Sequence, residues 1–206
     1  MKVFGIFVVV CLAFASARLT CEHKTPKIPD DWIDMSSICV KRIRSHVTEE
    51  LKAAMQYMAM GAHFSKDVVN RPGFAKLFFE AASEEREHAI KLIHYLLMRG
   101  QLTSGVSDMI KRNLAPSTII WSDGASAIRD ALQLEASVTK KIRELIKTCE
   151  GEPTFNDYHL VDYLTGDFLT EQYEGQRDLA GKLSTLEKLM DSHGALGEFL
   201  FDKKLL

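Results

Sequence analysis

Four long stretches of the chain repeat apolar residues every three or four positions, the period of an amphipathic helix. The first stretch begins at Ser36 or Ser37, either of which can cap a helix. The second runs from the break at residues 71–73 to about Met98, before the stop signal Gly100. The apolar side of the first stretch contains Ile43, Val47, Leu51, Ala54, Met58 and Gly61. These patterns predict two long helices separated by a break.

Two further long helices and a short one follow the same pattern. The third helix occupies roughly residues 125–148, the fourth follows Pro153, and a short apolar tail after Gly194 predicts a fifth. The third presents Ile128, Ala131, Leu132, Val138, Ile142 and Leu145 on one side. The fourth presents Val161, Leu164, Phe168, Gln172, Gly175, Leu179, Leu183 and Leu186. A kink is expected in the fourth helix near Gly166 or Gly175.

The connection between the second and third helices, residues 101–123, lacks a sustained helical period. Its length of about 20 residues is enough to travel the length of a bundle, so the third helix is expected to run parallel to the second. No strand pattern competes in the sequence. The fold class predicted is all-α, a four-helix bundle with one long crossover and a short fifth C-terminal helix.

The first 17 residues combine Lys2, an apolar run and Ala15-Ser16-Ala17, the pattern of a cleavable secretory signal peptide. A membrane anchor is the rival interpretation, but the run is shorter than the roughly 20 apolar residues that a spanning helix needs. The predicted organisation is therefore a signal peptide at 1–17, an N-terminal extension at 18–36 and one domain at 37–206, in the secretory pathway or outside the cell.

Composition narrows the class of partner. The formal net charge is −2, with 26 Lys and Arg against 28 Asp and Glu and no basic tract, which argues against nucleic-acid binding. No later segment is long and apolar enough to indicate a membrane partner. Loss of the signal removes Cys11 and leaves Cys21, Cys39 and Cys149, an odd number. One thiol therefore stays free or bonds to another chain.

Each long helix interrupts its apolar side with polar residues. The interruptions are Glu50, Tyr57, Glu85, His88, Glu135 and Gln172. Acids from separate helices that meet in one interior would repel each other strongly, and a cation would supply the missing charge. Carboxylates with one imidazole suit iron, manganese or zinc. A lone buried Glu is often a rim residue that reaches water, and a single Glu-x-x-His is common by chance. Four helices that each offer a ligand are much harder to obtain by accident.

Five motifs resemble those of the ferritin family, in particular its secreted insect-type heavy chains, over nearly the whole mature chain from about residue 38 to 204. The motifs are Glu49-Glu50-Leu51 with Tyr57, the run Glu-Glu-Arg-Glu-His-Ala at 84–89, Ala-Leu-Gln-Leu-Glu at 131–135, Glu171-Gln172, and Glu-Phe-Leu-Phe-Asp-Lys at 198–203. The resemblance implies a ferroxidase-type subunit with two irons per centre. Glu50, Glu85 and His88 correspond to ligands of the first iron, and Glu85 and Glu135 to ligands of the second.

Further roles are implied by the same resemblance. Tyr57 and Gln172 correspond to groups that hydrogen-bond beside the irons or assist the redox step. Glu84 and Glu87 correspond to acids on the cavity surface that nucleate mineral, although Ile90 stands where the family often has a third acid.

The resemblance also implies a 24-subunit shell, with heavy and light chains, and a three-fold entry channel. Asp162 matches one channel acid, and Thr165 stands where a second is expected. If the third helix runs antiparallel to the first, Cys39 and Cys149 lie at one end of the bundle, so an intrachain bridge is predicted. Cys21 would then join another subunit.

Iron storage with Fe(II) oxidation by dioxygen or peroxide is thus the predicted function. Three alternatives remain at this point. A secreted four-helix signalling bundle has no reason to bury these acids. A shell subunit that stores but does not oxidise iron conflicts with the intact ligand set. A di-iron oxygenase would usually have a second Glu-x-x-His.

Overall fold

The computed structural model describes residues 26–101, 106–110, 113–151 and 156–206, and these are all-α without β-strands. The helices are α1 Ser37–Phe64, α2 Pro72–Met98, α3 Val106–Ile110, α4 Gly124–Glu150, α5 Tyr158–Tyr163, α6 Leu169–His193 and α7 Ala195–Leu205. The predicted signal peptide and Cys21 lie outside the described residues. Within them, none of the helices combines the length and hydropathy required to cross a bilayer.

The helix ends follow local capping chemistry. The Ser36 hydroxyl accepts a hydrogen bond from the Cys39 N–H, and Asp123 with Ser126 forms a reciprocal capping box at the start of α4. Beyond α2, Gly100 adopts a φ of 69°, a left-handed conformation that glycine accommodates without strain. The two long helices predicted on either side of residues 71–73 are confirmed.

Contacts along the chain fix the direction of each helix. Phe64 at the end of α1 stacks on Phe74 at the start of α2 with ring centroids 5.1 Å apart, so these helices form an antiparallel hairpin. The α1 helix also begins beside the end of α4, where Cys39 and Cys149 form a disulfide. Because both α2 and α4 run opposite to α1, they are parallel to each other, as the long crossover predicts.

The crossover itself lies along α1. The Thr48 hydroxyl donates to the Met109 carbonyl at 3.4 Å, and the Gln56 side chain donates to the Thr118 carbonyl at 2.8 Å. The short helix α3 within it was not predicted, since five residues are too few to show a helical period.

The fourth predicted helix is divided by a π-helical turn, Leu164–Phe168, between α5 and α6. This turn contains Gly166, the first of the two glycines at which a kink is expected. A π-turn changes the register between the residues before and after it. It ends three residues before Glu171 and four before Gln172, so it sets the direction in which both side chains leave α6.

Two apolar clusters fill the bundle, one on each side of a polar layer. The cluster at the disulfide end contains Cys39, Ile43, Val47, Leu92, Leu96, Val138, Ile142 and Phe168. The cluster at the other end contains Phe64, Phe74, Phe78, Ile128, Ala131, Leu186 and Phe201. Each of the four long helices contributes a buried polar residue that lies between these two clusters. These residues are Glu50 on α1, Glu85 on α2, Glu135 on α4 and Gln172 on α6. The polar interruptions of the sequence therefore lie at one depth.

Two carboxylates of α7 form hydrogen bonds at the end of the bundle opposite the disulfide. Asp202 Oδ1 accepts hydrogen bonds from the Gly73 and Phe74 N–H groups at 2.8 and 3.0 Å, and so caps α2 from a distant helix. A Cβ atom on Gly73 would lie 1.9 Å from the Asp202 carbonyl oxygen, which explains the glycine. Glu198 accepts from the Gly124 N–H at 3.0 Å at the start of α4.

The N-terminal extension contacts the opposite end. Trp32 Nε1 donates to the Met98 carbonyl at 3.0 Å, and Asp34 accepts from the Arg99 guanidinium at 2.7 Å. The same guanidinium donates to Asp157 at 3.0 Å, so it links the extension to the residues that precede α5. Two positions of the predicted apolar sides differ, because Met58 is 49% exposed and Gly175 is also exposed.

Candidate metal centre

Three side chains in the polar layer form one group. Among the described residues, Glu50, Glu85 and His88 are the three whose donor atoms all lie within 4.8 Å of one another. Glu50 comes from α1, and the other two come from successive turns of α2, where a spacing of three places them on one face. Glu50 is fully buried and Glu85 is 3% exposed. The sequence-predicted ligands of the first iron thus lie together.

Four polar atoms of this group lack hydrogen-bond partners. Both Glu50 oxygens, Glu85 Oε2 and His88 Nδ1 are buried without a hydrogen-bond partner among the described residues. A buried acceptor without a donor costs about 1–3 kcal/mol, and more when it is charged. Four such atoms on three neighbouring residues form a donor set that suits a cation. Carboxylate oxygens and an imidazole nitrogen suit iron or a similar divalent metal.

Burial changes the protonation of these ligands. It raises the pKa of the Glu50 carboxyl above its ordinary value, and it raises the pKa of Glu85 to about 7, with a further contribution from the neighbouring Glu50. Burial alone would lower the pKa of His88, but its interaction with the nearby Glu85 carboxylate and the charges of Glu50 and Glu171 raise it to about 9. Protons therefore partly occupy the site at neutral pH, and a metal ion must displace them.

His88 is oriented from outside the group. Its Nε2 lies 2.8 Å from Glu171 Oε2, and Lys91 holds the other Glu171 oxygen at 3.1 Å. His88 Nδ1 therefore faces inward, 3.6 Å from Glu85 Oε2. Carboxylates that hold the second nitrogen of a metal-binding histidine fix its tautomer and ring direction.

Glu135 of α4 lies beside Glu85 in a separate network. Tyr57 donates its hydroxyl hydrogen to Glu135 Oε1, and Gln172 Nε2 donates to Oε2 at 2.9 Å. Thr139 in turn donates to Gln172 Oε1 at 2.6 Å. Burial raises the pKa of Glu135 to about 7, and the charge of Glu85 adds to the effect. All six residues predicted for the iron centre therefore meet in the polar layer.

The site opens to the surface between α2 and α6 through a cavity of about 410 Å³. Its polar lining includes Glu84, Glu87, Lys91, Glu135, Glu171 and Glu174. Glu84 and Glu87, the predicted cavity-surface acids, are exposed on α2. The excess of carboxylates around this opening favours the approach of cations.

The remaining predicted residues lie elsewhere. Asp162 of α5 and Thr165 of the π-turn are both exposed. A channel role for them would depend on neighbouring subunits. The Cα atoms of Cys39 and Cys149 are 5.5 Å apart in their disulfide.

Sequence reasoning did not identify His46 as part of the site. The structure buries His46, with Nε2 2.9 Å from Glu50 Oε1. Burial lowers the pKa of His46 to about 4, so the ring is neutral and the two residues are not an ion pair. The signal was the spacing of four residues on one helix. The same spacing links Glu135 to Thr139, which was also missed.

Comparisons with known proteins agree on one family. The family model described as ferritin-like domain matches residues 40–189. The ferritin heavy chain of Trichoplusia ni is 59% identical over all of this chain and 96% of its own length, and that of Drosophila melanogaster is 56% identical over 98% and 97%. The crystal structure of Trichoplusia ni secreted ferritin superimposes with a TM-score of 0.86 at 62% identity, covering 90% of this chain and 97% of that one.

Proposed function

Because the chain belongs to the ferritin family, we propose that its iron-storage function includes oxidation of Fe(II) to Fe(III) within the polar layer of the bundle. The observation that carries the proposal is the set of unsatisfied atoms on Glu50, Glu85 and His88. A subunit that only lined a shell would have no need to bury these groups, since each one destabilises the metal-free fold. A signalling bundle would have no need for them either.

Two iron positions are proposed, with Glu85 between them. Glu50, Glu85 and His88 would bind the first Fe(II), and Glu85 with Glu135 would bind the second. The effect of Glu85 on Glu135 supports this arrangement, because the Glu85 charge raises the pKa of the Glu135 carboxyl, as two carboxylates at close range do. Carboxylates also favour Fe(III) over Fe(II), so these ligands would promote oxidation as well as binding.

The reaction balances with two iron ions for each dioxygen. Each Fe(II) gives up one electron and becomes Fe(III), and dioxygen takes the two electrons with two protons to leave as hydrogen peroxide. Protons that metal binding displaces from Glu85 and Glu135 are released in the same region. Hydrogen peroxide can take one electron from each of two more Fe(II) ions together with two protons, so that its O–O bond breaks and two water molecules form.

The surrounding residues would have supporting roles. Tyr57 and Gln172, which both donate to Glu135, would hold this carboxylate in a fixed direction. Glu84 and Glu87 at the opening would receive Fe(III) that leaves the site and nucleate mineral there. Asp162 is proposed as an entry-channel acid at a subunit junction.

The proposed assembly is a 24-subunit shell that contains heavy and light chains, with Cys21 as an interchain disulfide partner. Secretion is proposed from the N-terminal signal pattern and is supported by the likeness to a secreted ferritin. Members of this family form multi-subunit shells, and the exposed apolar residues of the isolated subunit, such as Ile119 and Ile120, are consistent with burial against neighbours.

The decisive experiment compares aerobic Fe(II) oxidation by the assembled protein with that of Glu85→Ala/His88→Ala, followed by absorbance of the Fe(III) product. The initial rate should fall by at least about tenfold, since two ligands are lost. Glu174→Ala, at the rim of the same opening, is the matched control and should oxidise at nearly the original rate. Equal initial rates in the double variant and the parent would refute the assignment. Particle sizing should show a large shell, and a stable monomer would contradict the assembly.

A further inference from the structure

His46 is a buried imidazole that the proposed oxidation does not use. It is 3% exposed and lies on α1 between Ile43 and Val47, both fully buried. A leucine would fill such a position without the cost of burying two ring nitrogens. Nε2 has no partner in hydrogen-bond geometry among the described residues, and the polar atom beside it is Glu50 Oε1, at 2.9 Å.

The surroundings of His46 indicate that it acts on Glu50, one of the buried acids. Its outer side lines a surface groove with Glu49 and Lys141, and its inner side meets Glu50. His46 is not a member of the group whose donor atoms all lie within 4.8 Å of one another. It is therefore placed to contact one ligand, Glu50, rather than to bind the same ion as His88.

We propose that His46 is a positioning residue, which donates its Nε2–H to Glu50 Oε1 when a metal ion binds and so presents Oε2 to the ion. This inference rests on the proposed function only in that Glu50 is taken as a metal ligand. The imidazole acts through Glu50 and does not itself touch the metal.

The geometry of the contact between His46 and Glu50 is consistent with such a change. The N···O distance of 2.9 Å is that of a hydrogen bond, but the angles fall outside the accepted range, so the contact is misaligned. Hydrogen bonds of this kind often tighten only in the loaded site. Rotation of the carboxylate as Oε2 binds the ion would align Oε1 with the donor. Hydrogen bonds to ligating carboxylates commonly account for 10–100-fold in metal affinity.

Three substitutions of the assembled protein separate this role from packing. His46→Leu and His46→Met fill the space without a donor, whereas His46→Gln offers an amide N–H at similar reach. The probe is Co(II), which does not oxidise at the site, and the readouts are its binding isotherm and its visible absorption. A second readout is the Fe(II) dependence of the initial oxidation rate. Circular dichroism and particle sizing identify variants that fold and assemble.

The proposal predicts that His46→Leu and His46→Met weaken Co(II) binding by at least about tenfold and change its visible spectrum, while His46→Gln restores both toward the parent. The half-saturating Fe(II) concentration should rise more than the maximal rate falls. A residue that only packs would give weaker folding but an unchanged Co(II) spectrum in whichever apolar variant assembles. Parental affinity and spectrum in His46→Leu or His46→Met would overturn the inference.

The two proposals fail in different ways. If Co(II) binding depends on His46 as expected but Fe(II) oxidation is unaffected by Glu85→Ala/His88→Ala, the positioning role is supported and the ferroxidase assignment is lost. If oxidation requires Glu85 and His88 but Co(II) binding is indifferent to His46, the ferroxidase assignment stands and the positioning role is refuted. If Glu50→Ala leaves Co(II) binding unchanged, Glu50 is no ligand and the positioning role is refuted with it.

Discussion

Glu171 and His88 are 83 positions apart in the chain, yet Oε2 of the first lies 2.8 Å from Nε2 of the second. The carboxylate is nearly half exposed, at the rim of the opening, and the imidazole ring lies just inside it. An exposed residue of α6 thereby decides which nitrogen of a residue on α2 faces the buried acids. Sequence neighbours of His88 do not provide this orientation.

Removal of this contact should weaken metal binding without removal of a ligand. Glu171→Ala frees the His88 ring, so Co(II) affinity of the assembled protein should fall by about tenfold. Glu171→Gln keeps an acceptor for Nε2–H and should retain most of the affinity. Titration of each variant with Co(II) checks this, with Glu174→Ala as the control. Identical isotherms for Glu171→Ala and the parent would show that the ring needs no such support.

Loss of a buried ligand should stabilise the metal-free protein at alkaline pH. Burial raises the folded-state pKa of Glu50, so the folded state binds a proton more tightly than the unfolded state does, and stability falls as the pH rises past the ordinary value of this group. Glu50→Gln should therefore raise the apparent melting temperature at pH 8 by on the order of 5 °C. The gain should shrink as the pH is lowered toward the ordinary pKa of a glutamate, because less of the destabilisation has developed there.

The control for this effect is Glu87→Gln, which changes an exposed acid beside His88 in the sequence. It should leave the melting temperature nearly unchanged at both pH values. Addition of Zn(II) at pH 8 should stabilise the parent more than Glu50→Gln, because the variant lacks one ligand. A Glu50→Gln melting temperature at or below that of the parent at pH 8 would contradict the idea that this carboxylate is uncompensated.

The helices and the residues of the polar layer could be predicted, because the spacing of residues along the sequence indicates both. Glu85 and His88 lie three apart on an apolar face, and that pattern alone indicates a buried polar site. The orientation of His88 could not be predicted, since it depends on where α6 lies relative to α2. His46 was missed for another reason. A histidine four residues from an acid is common on exposed helices, and only burial distinguishes this one.

The π-turn at Leu164–Phe168 could be predicted only in part. Gly166 indicated where the fourth helix would be irregular, but a glycine does not specify whether the irregularity is a kink, a π-turn or a break. Phe168, at the end of the turn, packs into the apolar cluster at the disulfide end. Such packing is set by the tertiary structure and leaves no periodic signal.

The disulfide should contribute substantially to stability. Cys39 and Cys149 are 110 positions apart. Closure of a loop of this length lowers the entropy of the unfolded chain, which raises the free energy of unfolding by about 5 kcal/mol in the chain-entropy model. Cys39→Ser/Cys149→Ser should therefore melt well below the parent under oxidising conditions. The difference should disappear when the parent is measured in reductant. Peptide mapping without reduction should recover the two cysteines in one linked pair, and a link from either to Cys21 would contradict it.

The helix cap that Asp202 provides should contribute about 1–2 kcal/mol to the free energy of unfolding, because it accepts hydrogen bonds from two N–H groups of α2. Asp202→Ala should lower the melting temperature of the assembled protein, and Asp202→Asn, which keeps an Oδ1 acceptor, should recover part of the loss. Asp191→Ala, at an exposed position of α6, is the control. Equal melting temperatures for Asp202→Ala and Asp191→Ala would show that α2 needs no cap from α7.

The Cys39–Cys149 bridge also has a topological consequence. It converts α1, α2, the crossover and α4 into one covalent ring, while α5, α6 and α7 remain outside as a free arm. Exchange of helices between neighbouring subunits is therefore confined to this arm once the ring has closed. The arm carries Gln172 and Glu171, whereas the ring carries Glu50, Glu85, His88 and Glu135. A subunit that exchanged its arm would complete its candidate metal centre with side chains from another molecule.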